Sequence, residues 1–482
     1  MQVARKIAYN VLVSSFSKFL STALALVSIG FITRYLGKEG FGDYATVLAF
    51  LSFFASLADL GLYHISTREI SRHGADEKMI MGNIFSLRIL ASLGILAIAP
   101  VIVLFFNYPH QVKEGIIIAA ASFLFSSGYQ VLNGIFQKNL AMDKVAVGEL
   151  VGKIVQVAVV IAAVKMRLSF DWIVASLLFN MIASLLIVFF WSKKYLRFKL
   201  RFDFVYWKKF FKEALPIGIG SIIVFVYFKM DTILLSVMKT SADVGIYNAA
   251  YKVLENVSFF PAMIIGLILP IMSNTIFTNK ARFNEISNKT FKVFVILVVP
   301  LVIGTWFLAD GVIQLIGGGQ FFQSGAVLRI LIFALAAIFF GGFFNNILIA
   351  GNLQKRLMHI WIAAAIGNVG LNLIFIPRFS YFGAAYISAG TEIFVAILAW
   401  YVAKRRLEYF PRLEKKLNIL GAGLLMAAFL FLLNGANFFV AALSSAAVYL
   451  AALWLFQAVK TSEITSLISK KGVEEYELEQ LP

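Results

Sequence analysis

The stretch Phe225–Met238, FVYFKMDTILLSVM, decides the class of fold. It is apolar enough to lie in hydrocarbon, yet Lys229 and Asp231 sit inside it. Two residues apart on an α-helix is about 200° of rotation, so the two side chains leave on different sides and do not simply pair with each other. Charge within a membrane span is costly and is usually retained for function.

The rest of the chain has the same character. Of its 482 residues 60% are hydrophobic and only 14% are charged, with a mean hydropathy of +0.85. A soluble chain of that composition lacks the polar residues to cover its core. Cysteine is absent, so disulfides and thiolate metal sites are excluded. His64, His73, His110 and His359 are scattered and form no ligand spacing. Arg5 and Lys6 precede a full-length apolar run with no cleavage site, so the first span is expected to stay as an anchor.

Apolar runs near the ~20 residues a bilayer needs recur about fourteen times. They fall at 11–33, 41–63, 83–106, 115–137, 145–164, 171–192, 214–237, 245–272, 289–309, 325–350, 358–376, 383–403, 418–433 and 438–457. The expected fold is an all-α integral membrane protein of about 14 transmembrane helices. With both termini on the cytoplasmic side, the inner segments carry most of the 43 Lys and Arg and the outer loops carry few. That bias fixes the expected orientation, in the cytoplasmic (inner) membrane. It also accounts for the net charge of +18, which in a soluble protein would suggest nucleic acid; no nucleic-acid partner is expected here. The densest basic block, KKYLRFKLRFDFVYWKKFFK at 193–212, interleaves Lys and Arg with aromatic residues and reads as an amphipathic segment at the inner face.

That block divides the chain into two halves of about six spans each. RYLGKEGFGDYATV, around Phe41–Tyr44, and VMKTSADVGIYNAA, around Val244–Tyr247, both put Gly two residues before Tyr at the start of an even-numbered span. An even number of spans separates them, which predicts a parallel repeat about an axis along the membrane normal.

No Walker motif is present; GELVGKI at 148–154 is one residue short and lacks the Ser/Thr. The outer loops are short, which weighs against an extracytoplasmic catalytic site, and the chain is not expected to be an enzyme. Charge inside the spans remains. The cations are Lys18, Arg88, Lys153, Lys229 and Lys252; the acids are Asp59, Glu149, Asp231, Glu255 and Glu392. Glu149 and Lys153 stand at i, i+4 in the order that favours mutual pairing, and Asp59, near an inner end, is expected to snorkel to the surface. Asn248, Tyr251, Lys252 and Glu255 make one polar stripe on the eighth span, suited to a water-filled cavity or to a satisfied helix interface. Gln130, Asn133 and Gln137 on the fourth span, and Asn368 and Asn372 on the eleventh, repeat the theme with amides. Amides join helices in membranes and also hydrogen-bond sugar hydroxyls. Lys18, Arg88 and Lys153 lie in the inner halves of their helices, and Lys229 and Lys252 about 12 Å below the outer ends. An anionic headgroup crossing the membrane would meet these cations in turn.

Several stretches together resemble the polysaccharide-transport branch of the multidrug/oligosaccharidyl-lipid/polysaccharide exporter superfamily, which includes the O-antigen-type flippases. They are RYLGKEGFGDY at 34–44, ADLGL at 58–62 with Arg68 just after, KMDTILLSVM at 229–238, VGIYNAAYKV at 244–253 and GNVGLNLIFIPRFSYFGAA at 367–385. The resemblance implies two pseudo-symmetric six-helix lobes, 1–192 and 214–403, around a central cavity. The basic linker at 193–213 joins them, and two further helices with a cytoplasmic tail occupy 404–482. It implies alternating access and a polyprenyl-diphosphate-linked oligosaccharide as substrate, with Lys18, Arg88, Lys229 and Lys252 receiving the diphosphate and Arg34 at the outer mouth. Sugar contacts fall to Gln130, Asn133, Asn248, Tyr251, Asn368 and Asn372. It implies export driven by an ion gradient, as in an antiporter, with Asp231, Glu255 or Glu392 carrying a proton or sodium ion, no other cofactor, and membrane lipids, a polysaccharide polymerase and glycosyltransferases as partners. The arginine-aspartate signature of peptidoglycan-precursor flippases is replaced at the end of the first span by Arg34-Tyr35. The competing readings are a cation-coupled multidrug exporter of the same superfamily, a membrane glycan polymerase or ligase, and a non-transporting assembly scaffold.

Overall fold

The computed structural model describes residues 2–459 apart from His73, Ala75 and Asn434. The expected cytoplasmic tail beyond 459, and Asn434 where the last two spans were divided, lie outside the described residues. The described chain is helical with no strand. In order the helices are α1 (Gln2–Asp59), α2 (Leu62–Ile70), α3 (Glu77–Leu104), α4 (His110–Lys138), α5 (Met142–Lys165), α6 (Phe170–Ser192) and α7 (Phe204–Met238). They continue as α8 (Ser241–Val257), α9 (Phe259–Thr275), α10 (Lys280–Gly317), α11 (Phe322–Ala350), α12 (Gln354–Leu407), α13 (Lys416–Leu432) and α14 (Phe438–Leu455).

The fourteen expected spans map onto these fourteen helices, but not one to one. At 1.5 Å per residue, the 58 residues of α1 would reach about 87 Å, nearly three times the ~30 Å hydrocarbon core. Its helical backbone breaks at Gly37 (φ 64°), which separates spans one and two. The 54 residues of α12 break at Ser380 (φ 48°), shortly after Pro377, and divide in the same way. Conversely, α8 and α9 abut at Ser258 and together make one span, with Pro261 in the first turn of α9 where its missing N–H costs nothing. The nine residues of α2 reach only about 14 Å and cannot cross. Eleven helical segments among the described residues are long and apolar enough to cross a membrane, and α13 is slightly shorter.

The described chain forms two compact units. The first comprises 1–252, 313–327 and 361–388. Within it α4 packs on α3 and α6, and α5 on α1 and α6. Ile80, Ile84, Leu132, Ile135 and Phe136 are among the residues that close its core. The basic block has no regular secondary structure from 196 to 203 and is then helical: Asp203 accepts the N–H groups of Val205 and Tyr206 at 3.0 Å and starts α7. Trp207 and Phe210 turn inward while Leu200, Phe202, Phe204 and Val205 stay exposed among the lysines.

The second unit comprises 253–312, 328–360 and the chain from 389 on. Its α13 and α14 dock on α10 through Ile419, Met426 and Tyr449 against Val295, Val299 and Ile303. The Tyr449 phenol donates to the Ile296 carbonyl at 2.9 Å.

Candidate functional site

The two charges of the opening stretch lie in the first unit and take different partners. Asp231 on α7 is 1% exposed. Its carboxylate accepts the Thr232 N–H at 2.7 Å, the Ser388 hydroxyl of α12 at 2.7 Å and the Tyr247 phenol of α8. The Tyr247 and Ser388 oxygens are themselves 3.0 Å apart. Three donors converge on one buried carboxylate, which satisfies most of its acceptor capacity. Lys229 leaves the other side of α7, and its Nζ stands 4.7 Å from the centre of the Tyr251 ring, within cation–π range. One turn apart on α8, the rings of Tyr247 and Tyr251 stack with centroids 5.5 Å apart. This aromatic pair links the surroundings of the cation and the acid. Asn248, from the same helix, accepts from the Thr232 hydroxyl at 3.3 Å and donates to the Val244 carbonyl at 3.0 Å. The Tyr251 phenol donates to the Phe228 carbonyl.

Two further acids, Asp59 and Glu149, are paired across helices, and the first pairing corrects the sequence-based expectation. Asp59 does not snorkel. The chain breaks at Leu60 (φ 39°) and Gly61 (φ 78°), and the Asp59 carboxylate faces Arg88 of α3. Arg88 is 2% exposed and needs a counter-ion there. It donates to Asp59 through both terminal nitrogens and to Gln130 Oε1 at 3.2 Å. Glu149 meets Lys18 of α1 at 2.8 Å, and Lys153 donates to Gln156 Oε1 at 3.1 Å. The Lys18 and Glu149 side chains are 38% and 36% exposed, so this pair stays accessible.

Of the remaining candidates, Asn372 donates to Asn368 Oδ1 at 3.0 Å with both residues buried. Asn133 and Lys252 are half-buried on α4 and α8. Arg34 is exposed and donates to the carbonyls of Leu315 at 2.6 Å, Gln314 at 3.4 Å and Gly30 at 3.3 Å. Glu255 and Glu392 fall in the second unit, the former half-buried and the latter 8% exposed. Among the described residues no group of three His, Cys, Asp or Glu could hold a metal ion.

The two halves of the sequence repeat touch each other. A Cβ on Gly42 would lie 2.6 Å from the Ser241 carbonyl carbon and 2.9 Å from the Gly245 nitrogen. One on Gly245 would lie 3.0 Å from the carbonyl carbon of Lys38. Only glycine at both places allows the backbones to approach so closely. Asp43, next to Gly42, accepts the Ser241 hydroxyl at 2.6 Å and the side-chain amide of Gln111. The Thr33 hydroxyl donates to the Ile316 carbonyl at 2.6 Å. The motif was legible as a repeat; that its copies are contact partners was not.

A family model described as "Polysaccharide biosynthesis protein" matches residues 7–276. The chain is 25% identical over 353 residues to a protein of Shigella flexneri named "Putative O-antigen transporter", covering 69% of this chain and 80% of that one. It is 23% identical over 389 residues to a Haloferax volcanii protein named "Probable low-salt glycan biosynthesis flippase Agl15", covering 77% and 78%. Among solved structures, one titled "Lipid II flippase MurJ, inward closed conformation" superposes with a TM-score of 0.76 at 15% identity, over 93% of this chain and 98% of that one. That likeness is one of fold.

Proposed function

The chain belongs to the polysaccharide biosynthesis protein family, within the polysaccharide branch of the multidrug/oligosaccharidyl-lipid/polysaccharide exporter superfamily, and from that premise we propose that it flips a polyprenyl-diphosphate-linked oligosaccharide across the inner membrane, chemically unchanged, by ion-coupled alternating access. The observation that carries this reading is Lys229, a cation seated over a tyrosine inside a span, two residues from a buried carboxylate held by three donors. In the proposal the two six-helix lobes, 1–192 and 214–403, alternate in exposing the substrate, and both termini face the cytoplasm. The crossing at Gly42 and Gly245 supports this, since the repeat copies meet on the side that the charge bias assigns to the exterior.

Lys18, Lys229 and Lys252 receive the diphosphate in turn. The Lys18–Glu149 pair is accessible enough to exchange its carboxylate for a phosphate. Arg88 joins them only if its bonds to Asp59 and Gln130 open, and Asn248, Tyr251, Asn368 and Asn372 reach sugar only if their buried bonds open in another conformation. Arg34, Gln130 and Asn133 keep their proposed roles at the outer mouth and on the glycan. Asp231 is the first choice for the proton or sodium ion, with Glu255 and Glu392 as alternatives. A carboxylate ringed by hydroxyls is suited to either ion.

Retention of the substrate tests the reading. Purified protein in detergent is expected to bind a polyprenyl-diphosphate oligosaccharide, and Lys229→Ala to bind it about tenfold more weakly, the value of 1.4 kcal/mol. Undiminished binding by Lys229→Ala would remove Lys229 from the site.

A further inference from the structure

A polar hollow of about 410 Å³ lies outside the clusters already described, between α2 and the end of α4. It is lined by Tyr63, Thr67, Arg68, Ser71, Arg72 and Gln137. Five of these belong to α2 or the residues just after it, at spacings that keep them on one side of the helix. The lining thus supplies two guanidinium groups, a phenol, two hydroxyls and an amide, and no carboxylate.

The carboxylates stand behind the arginines. Glu69 accepts from Arg68 Nε at 3.0 Å, Arg68 Nη2 at 2.8 Å and Arg72 Nη1 at 3.0 Å. Glu213, from α7, also accepts from Arg68 Nη2. Each guanidinium has five N–H donors, so these bonds fix the plane of Arg68, while the single bond from Arg72 leaves it most of its donors for a ligand. The Tyr63 phenol donates to Gln137 Oε1 at 3.3 Å, which leaves the Gln137 –NH₂ group as a further donor. Tyr206, close by, has its phenol pushed up to about 12 by burial and then by Glu69 and Glu213, so it stays neutral. A donor-rich, carboxylate-free hollow with a fixed guanidinium fork complements tetrahedral anionic oxygens. Its volume falls within the roughly 300–1,000 Å³ usual for small-molecule sites.

We propose that this hollow binds the phosphate of a membrane-anchored headgroup, and that it is a loading site where the diphosphate of the lipid-linked glycan docks before it reaches the cations of the spans. The proposal rests on the flippase reading. It uses the side of the membrane that the charge bias assigns to the cytoplasm, where α2 leaves span two. Phosphate at this point also compensates for the excess positive charge of the neighbouring basic linker.

Arginine footprinting tests it. The full chain in phosphatidylcholine nanodiscs is treated with phenylglyoxal, and adducts at Arg72 are quantified by mass spectrometry; its side chain is 59% exposed and open to reagent. Farnesyl diphosphate is the probe in one arm and phosphatidylglycerol, replacing part of the phosphatidylcholine, in the other. The expected result is about fivefold or greater protection of Arg72 by farnesyl diphosphate, corresponding to a mostly occupied site. Adduct formation at Arg329, whose fork is held by Asp310, should not change. Protection by phosphatidylglycerol alone would keep the phosphate site and assign it to a phospholipid, overturning the loading role. Protection by neither overturns the proposal. Gln137→Ala, which leaves both arginines paired, should weaken protection; full protection in that variant would also count against the site. Persistent protection in a protein that translocates no glycan lipid would sink the flippase reading and leave the phosphate site standing. Translocation without protection would do the reverse.

Discussion

Gly42→Ala puts to a direct test the proposal that the Gly42–Gly245 contact closes the outer side. The added methyl would overlap the Ser241 carbonyl oxygen, its nearest neighbour, and sit 2.6 Å from the carbonyl carbon, where carbon atoms come to rest at about 3.5–4.0 Å, so the two backbones must part by more than about 1 Å. The obstacle is backbone at the start of α8, not a side chain that can swing aside. Overpacking of this kind costs about 1–3 kcal/mol in the arrangement that contains the contact. A conformation in which the outer ends have separated pays none of it, so the ratio of the two should shift by about 5- to 150-fold. The chain has no cysteine, so one introduced thiol reports alone. Ser324 is 0% exposed and donates to the Ile246 carbonyl at 2.7 Å, one residue beyond Gly245; Ser324→Cys therefore places a near-isosteric thiol beside the contact. Adding Gly42→Ala should speed its labelling by an impermeant maleimide in that same range. A second thiol, Leu132→Cys in the first unit's core, controls for general loosening and should stay unlabelled. An unchanged rate at position 324, in protein that still folds, would refute the view that this contact holds the outer side shut.

Other substitutions separate structural from functional charge. Arg88→Ala strands the Asp59 carboxylate and should lower stability by about 3–5 kcal/mol; in detergent denaturation, Arg88→Leu combined with Asp59→Leu should recover most of the loss, and equal damage in the double variant would contradict the pairing. Lys18→Ala breaks a pair more than a third exposed, so its effect on stability should stay within about 1 kcal/mol, while glycan-lipid transport falls sharply; a stability loss that accounts for the transport defect would make Lys18 structural. Asp231→Asn keeps an oxygen able to accept from Ser388 and Tyr247 but loses the charge, so transport should cease to respond to proton or sodium gradients. Full gradient dependence in that variant would move the coupling ion to Glu255 or Glu392.

The membrane class and the span count were legible because both follow from run length and composition, which need no tertiary knowledge. Span ends were less so. The breaks at Gly37 and Ser380 do fall in the gaps expected between spans one and two and between spans eleven and twelve, but the helices run on for several residues past the expected ends, and Ser258 interrupts a span without ending it. Lys229 and Asp231 could be assigned to different sides of α7 from helical geometry. Their partners could not, since Tyr247 and Ser388 lie 16 and 157 residues away in sequence. The same limit applied to Asp59 and Glu149. Local rules offered snorkelling for Asp59 and an i, i+4 neighbour for Glu149; that tertiary packing also brings Arg88 and Lys18 to them was not legible. Gln137 was visible as one of three amides on α4, but nothing local indicated that it would face the arginines following span two.

The central claim is that an intact lipid-linked glycan changes leaflets. Its most direct test uses proteoliposomes loaded with a polyprenyl-diphosphate oligosaccharide on one leaflet, an impermeant glycan-cleaving enzyme outside, and an imposed proton or sodium gradient. Protein-dependent cleavage, with the uncleaved pool chemically unaltered, is the predicted result. Cleavage no faster than in protein-free vesicles, across several glycans and both gradients, would contradict it, and a chemically altered glycan would point instead to a membrane polymerase or ligase.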